Sequence, residues 1–161
     1  ERISPRRIKN AIGAGGDVLR SLQTLPSVAV ANDFSSQLYI RGGGPEQNAV
    51  LLDGVLVYLP YRALSAMSSF NPLLIESATL YPGGFGVQYG DRLSGVLEVS
   101  YRRGRTSSPR REISSNAIMT DALVEGPLGH GATSYVLSAR RTHYDLLLNR
   151  RSGDNGLAYP S

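Results

Sequence analysis

The side chains able to do chemistry in this 161-residue chain are few. There is no Cys, which excludes thiol nucleophiles, disulfides and thiolate zinc sites. The two histidines, His130 and His143, lie thirteen positions apart and do not form a histidine-rich metal site. No Gly-x-Ser-x-Gly elbow occurs, and neither His has an evident nucleophile at a structured position. The expectation is no catalytic residue, no metal, no cofactor and no enzyme. Two glycine-rich loops raise phosphate binding. Gly13-Ala14-Gly15-Gly16 precedes a helical stretch, but Asp17 repels phosphate there and no Lys-Ser/Thr follows. Gly83-Gly84-Phe85-Gly86 has no helix after it.

Arginine and tyrosine remain. Sixteen Arg and one Lys give a net charge of +4, and the charge is uneven. Residues 1–100 carry eight basic and eight acidic side chains; residues 101–161 carry nine Arg and five acids. The run from Arg102 to Arg111 holds five Arg, no acid and no aromatic side chain. It can neutralise phosphates but offers no stacking platform, so nucleic acid is not the expected partner. Arg41 ends an apolar strand and opens a glycine-rich loop. Tyr58 and Tyr61 offer flat apolar faces with polar tips, and Arg62 offers a cation to an anionic ligand. Asp53-Gly54 reads as a turn, and Glu76, among apolar neighbours, as a partly buried carboxylate paired with an Arg.

These residues must be positioned by short elements. Gly and Pro make 27 of 161 residues, about 17% against a usual ~12%, which favours short strands joined by turns. Asp17 is suited to cap a helix in which Val18, Leu19, Leu22 and Leu25 share one face, stopped by Pro26. Strands are expected at 28–30, 37–41, 49–57 with a hairpin turn at Asp53-Gly54, 73–80 and 96–101. A turn of helix is expected near 63–67. Residues 102–111 read as a linker. Two extended segments, 112–126 and 132–147, then form a candidate hairpin around Gly126-Pro127-Leu128-Gly129, with no third strand after it. No apolar run is long enough for a transmembrane helix and no signal peptide is visible, so the chain reads as a mature protein or an excised fragment.

Five short motifs stand in a telling order: Leu25-Pro26-Ser27-Val28, Ile40-Arg41-Gly42, Val50-Leu51-Leu52-Asp53-Gly54-Val55, Ile75-Glu76 leading to Tyr89-Gly90, and Ser94-Gly95-Val96-Leu97-Glu98-Val99. Over residues 3–102 they resemble the plug domain of TonB-dependent outer-membrane transporters. Tyr81-Pro82-Gly83-Gly84-Phe85 with Tyr89-Gly90-Asp91-Arg92-Leu93-Ser94 is similar to Bacteroidota-type receptors. Glu125-Gly126-Pro127-Leu128 and Ser138-Ala139-Arg140-Arg141 resemble the first barrel hairpin of that group.

The resemblance implies an α+β fold: a small plug with a mixed four-stranded sheet and short helices, held in the lumen of a barrel of about 22 strands in the Gram-negative outer membrane. It divides the chain into a plug at 1–102, an Arg-rich linker at 103–111, and a first barrel hairpin with tail at 112–161. It gives Arg41 the role of locking plug to barrel through barrel glutamates. Pro82 stands where many relatives carry a second lock arginine, and Arg92 is the alternative. Gly44, Pro45, Glu46, Gln47, Tyr58, Tyr61 and Arg62 become substrate-facing loops. The implied partners are the chain's own barrel, the TonB energy-coupling protein through a segment upstream of Glu1, and an imported substrate: siderophore, cobalamin, glycan or peptide. The implied activity is gated, energised uptake. A soluble plug-like binding or adhesion module, and a basic nucleic-acid-binding domain, remain the alternatives at this point.

Overall fold

The computed structural model describes residues 1–11, 14, 17–33, 35–62, 67–116, 119–129 and 132–143. The chain divides into two compact units, Glu1–Arg102 and Arg103–Ser161.

The first unit opens with β1 (Arg2–Ile3) and helix α1 (Pro5–Asn10). Proline at the first helical position has no N–H to waste and a φ already suited to the helix. Helix α2 (Val18–Leu22) is capped by Asp17, whose Oδ1 accepts from the backbone N–H of Leu19 at 2.9 Å and Arg20 at 3.1 Å. The regular helix ends three residues before the expected Leu25. Thr24 and Leu25 donate to Ser21 and Leu22, so the last turn tightens to i→i+3 bonds. Leu25 precedes Pro26 and is steered out of the α region.

Strand β2 (Val28–Ala29) pairs with β3 (Tyr39–Ile40). A 3₁₀ turn at Pro45–Gln47 leads into β4 (Ala49–Leu52), which turns through Asp53-Gly54 into β5 (Val55–Leu56). Both turn residues have positive φ, 49° and 83°, the left-handed pair a two-residue hairpin requires. Strand β6 (Tyr61–Arg62) pairs with β7 (Met67–Ser68); residues 63–66 of the expected helical turn lie outside the described residues, and Met67 itself is in strand. Strands β8 (Ile75–Tyr81) and β9 (Val96–Tyr101) follow.

The main sheet is mixed, in the order β1-β8-β9-β4-β5. Only β4 and β9 run parallel. It has five strands because the two-residue β1, too short to signal itself in the sequence, joins the edge of β8. Ala78 and Leu80 on β8, Leu97 and Val99 on β9 and Val50 on β4 form one buried face. Ile8 of α1 and Val18, Leu19 and Leu22 of α2 belong to the same core. Burying a Leu or Val side chain contributes about 1.5–3 kcal/mol, so these residues hold the unit together. Asp17 adds a long-range tie: its Oδ2 accepts from the Ser68 N–H at 2.6 Å. Glu76 is exposed on β8, not partly buried as its neighbours suggested, because it is the extra residue of a bulge between Ile75 and Ser77.

The second unit is a three-stranded antiparallel meander: β10 (Arg110–Ser115), β11 (Met119–Pro127) and β12 (Ser134–Thr142). The expected single extended segment at 112–126 is two strands, and Arg110 and Arg111, read as linker, open the first. The sheet therefore has a third strand before the hairpin. Composition misled here: an arginine pair looks like a tether until its partners across the sheet are known.

Candidate functional site: the loops at the strand ends and an inverted sheet

Arg41 follows β3 with φ 48°, and Gly42 after it has φ 83°. A left-handed arginine costs energy that its surroundings must offset. The Arg41 N–H donates to Ser27 O at 3.2 Å. Its guanidinium lies over Gly83, where a Cβ would sit 3.2 Å from Nη1. Gly83 has φ 101° and leaves the space the arginine uses. Among the described residues no carboxylate pairs with Arg41.

The loop after Arg41 is pinned to the start of β9. Ser94 Oγ donates to Ile40 O, and Leu93 and Ser94 N–H both donate to Gln47 O at 3.3 Å. Gly43 has no room for a side chain, since a Cβ there would meet Ser94 Cβ at 2.5 Å. At Gly95 a Cβ would meet Ile40 Cδ1 at 2.7 Å. The Arg41-Gly42-Gly43 and Ser94-Gly95 motifs, far apart in sequence, are thus one close-packed joint.

Beside this joint is a cleft of about 490 Å³. Of the sequence-predicted residues, Pro45, Glu46, Tyr58, Tyr61 and Arg92 line it. Gly44, Gln47, Arg62 and Arg41 do not: Gly44 caps the 3₁₀ turn, Gln47 serves the joint, and Arg62 is exposed on β6. Three further polar lining residues escaped the sequence reading: Gln37, Tyr39 and Asn48. Tyr39 sits on β3 and Asn48 at the end of the 3₁₀ turn, and no local pattern marks either as facing a cleft. Burial pushes the Tyr61 phenol above its usual value; the Leu38 backbone hydrogen bond partly offsets this, and Tyr39 and Glu46 add to it. Tyr61 is therefore a neutral hydrogen-bonding ring at ordinary pH.

Asp17 occupies the N–H groups at the start of α2 that an anion would use. His143 Nε2 is 2.9 Å from Thr120 Oγ1, while His130 lies outside the described residues. No group of metal-ligating side chains occurs among the described residues.

The second unit carries its polarity in an unusual way. Register places Arg110, Glu112, Asp121, Leu123, Glu125 and Arg140 on one face of the meander. Asp121 and Glu125 are buried there, 4% and 1% exposed. Arg140 Nε meets Asp121 Oδ1 at 2.6 Å, and Arg110 pairs with Glu112 and, at 3.4 Å, with Glu125. The opposite face carries Ile113, Ala122, Val124, Leu137 and Ala139 between Arg111 at one end and Ser115, Thr120 and Arg141 at the other, with Ile113 77% and Leu137 66% exposed. A sheet that hides paired charges and shows its apolar face is inverted relative to a water-soluble one. Among the described residues no helix is long and apolar enough to cross a membrane, which leaves strand crossing open.

Comparison with known proteins agrees with the fold. The chain resembles the copper transporter OprC (17% identity, TM-score 0.53), over 78% of this chain and 20% of that one. It resembles a mutant of the ferric enterobactin receptor PfeA from Pseudomonas aeruginosa (19%, 0.51), over 84% and 25%. It also resembles the outer membrane transporter YddB from Escherichia coli (17%, 0.53), over 77% and 23%. The chain thus spans a fifth to a quarter of these proteins' lengths, and at such identity the likeness is one of fold. A search of curated proteins finds no match. The model of the TonB-dependent Receptor Plug Domain matches residues 2–96, more than half of the chain. With the motif joint and the mixed sheet in place, the chain belongs to the TonB-dependent receptor plug domain family.

Proposed function

We propose that this chain is the gate of a TonB-dependent outer-membrane transporter together with the first strands of the barrel that encloses it. The observation that carries the reading is the inverted sheet directly after the plug. Strands β11 and β12 each have nine residues, within the ~9–11 that a tilted membrane-spanning strand needs. Their paired charges face inward with Leu123 and Val136, and Ala122, Val124, Leu137 and Ala139 face outward with Arg141 toward one end, a pattern suited to a barrel wall. The rest of a barrel of about 22 strands is contributed by the full-length protein. Residues 1–102 are the plug, 103–109 the tether, and 110–142 the wall.

In this reading Arg41 locks the gate. It is exposed, has no carboxylate partner among the described residues, and is braced over Gly83. A guanidinium so placed suits a bidentate carboxylate on the barrel wall. Asp121 and Glu125 already have Arg140 and Arg110, so the lock carboxylate comes from a later strand. The cleft beside the Pro45–Gln47 turn faces the external ligand, and Arg92, which lines it, serves the ligand rather than the lock. Energy coupling acts on chain upstream of Glu1, pulled by TonB. The work is conformational, with no bond-breaking step and no cofactor.

Single-channel recording tests the gate. The full-length protein in planar bilayers is expected to show little conductance, and a version lacking residues 2–102 a large steady one. Equal conductance would sink the gating role.

A further inference from the structure

We propose that the cleft binds a short extended peptide with a free C-terminal carboxylate, adding it as a strand to the open edge of the sheet at β5. This rests on the reading that the cleft faces external ligand, and it names the ligand's class.

Three features of the cleft converge on this ligand. The first is a free backbone edge. Strand β5 is the last in the sheet. Leu52 and Val55 face each other next to the two-residue turn, and the Val57 N–H donates to Val50 O at 2.8 Å. Hydrogen-bonded pairs alternate with non-bonded ones along an antiparallel ladder, so Leu56, opposite Leu51, turns its N–H and C=O away from β4. Leu56 lines the cleft. A ligand lying there in extended form meets a donor and an acceptor at strand spacing, the geometry of strand addition.

The second is charge. Arg92 and Glu46 both line the cleft, and among the described residues neither has an ion-pair partner. One cation and one anion sum to zero, which disfavours a polyanionic chelate. They suit a ligand bearing a carboxylate for Arg92 and N–H or ammonium donors for Glu46.

The third is the floor. Asn48 is 7% exposed, and its Nδ2 donates to Leu38 O at 2.8 Å, which fixes the floor against the residue before β3. Val50, Val57 and Leu59 give the remaining wall an aliphatic character suited to peptide side chains. The cleft's ~490 Å³ lies within the ~300–1,000 Å³ range of ligand pockets.

The test uses the full-length receptor in detergent, immobilised and incubated with a random tetrapeptide mixture, with retained peptides counted by mass spectrometry. The same mixture amidated at its C-termini, and maltotriose, are the comparison probes. Retention is expected, falling about tenfold with amidation or with Arg92→Gln, the loss of one charge-assisted contact. Leu56→Pro removes the outward N–H while leaving the bond from Val57 N–H to Val50 O in place, and is expected to weaken retention. Amidation and Arg92→Gln decide the question if the proline variant does not fold. No retention of peptide, retention indifferent to amidation and Arg92→Gln, or retention of maltotriose in its place would each overturn the proposal. The mobility shift of the same preparations on boiling reports the enclosing barrel separately, so a failed peptide site is distinguishable from a failed plug reading.

Discussion

Both carboxylate oxygens of Asp17 are used by the fold. One caps α2 and the other holds Ser68, 51 residues away. Asp17→Ala removes a cap and leaves the buried Ser68 N–H unpaired. The expected loss is about 2–4 kcal/mol, the sum of those two costs, read by urea unfolding of the chain. The capping half of this role is legible in the sequence, because Asp stands just before an apolar run at helical spacing. The Ser68 bond is not legible, since nothing local marks it. Tyr61 gives a second residue-scale prediction. Its phenol is raised above the ordinary value by burial, so the folded state binds the proton more tightly than the unfolded chain. Its contribution to stability is present below about pH 10 and is lost as pH rises through the higher folded value. Unfolding midpoints are expected to fall more steeply above about pH 10 in the natural chain than in Tyr61→Phe. Parallel slopes would contradict the burial argument. Of the cleft residues, Glu46, Tyr58 and Tyr61 could be nominated from loop chemistry. Asn48 could not, because only the packed structure brings its amide to Leu38 O at the floor of the cleft.

Single elements reveal themselves unevenly. The β4–β5 hairpin was plain from Asp53-Gly54 between apolar runs, and both residues adopt the left-handed conformation that sequence demands. β10 was hidden because Arg110, Arg111 and Glu112 look like solvated charge. Their role appears only once register brings Arg110 opposite Glu125 on the buried face. The same register makes a prediction about the outward face. Ile113→Lys puts a charge where the proposed wall meets lipid, costing about 2–4 kcal/mol near the bilayer midplane. The expected result is a reduced fraction of folded, heat-modifiable receptor in the outer membrane. Ser114→Lys, one residue along and on the opposite face, is expected to leave that fraction nearly unchanged. Equal effects of the two substitutions would mean that the sheet's outward face does not contact lipid.

At the scale of the whole molecule, the plug family was readable because its motifs are constraints of one joint. Gly43 and Gly95 are small because Ser94 and Ile40 press on them, and Arg41 is left-handed beside a glycine that makes room for it. Such constraints leave fixed residue types at fixed order, which a single sequence can display. Ligand class leaves no comparable trace, because it depends on how loops from three strand connections meet around one cleft. On the proposed reading, this chain is the gate and first wall of an outer-membrane barrel. The most direct measurement is outer-membrane fractionation of the full-length protein, run on gels with and without boiling. An outer-membrane band whose mobility changes on boiling is the predicted result, since a closed barrel resists detergent until heated. A full-length protein found in the soluble fraction, with mobility indifferent to boiling, would contradict the barrel and its gate.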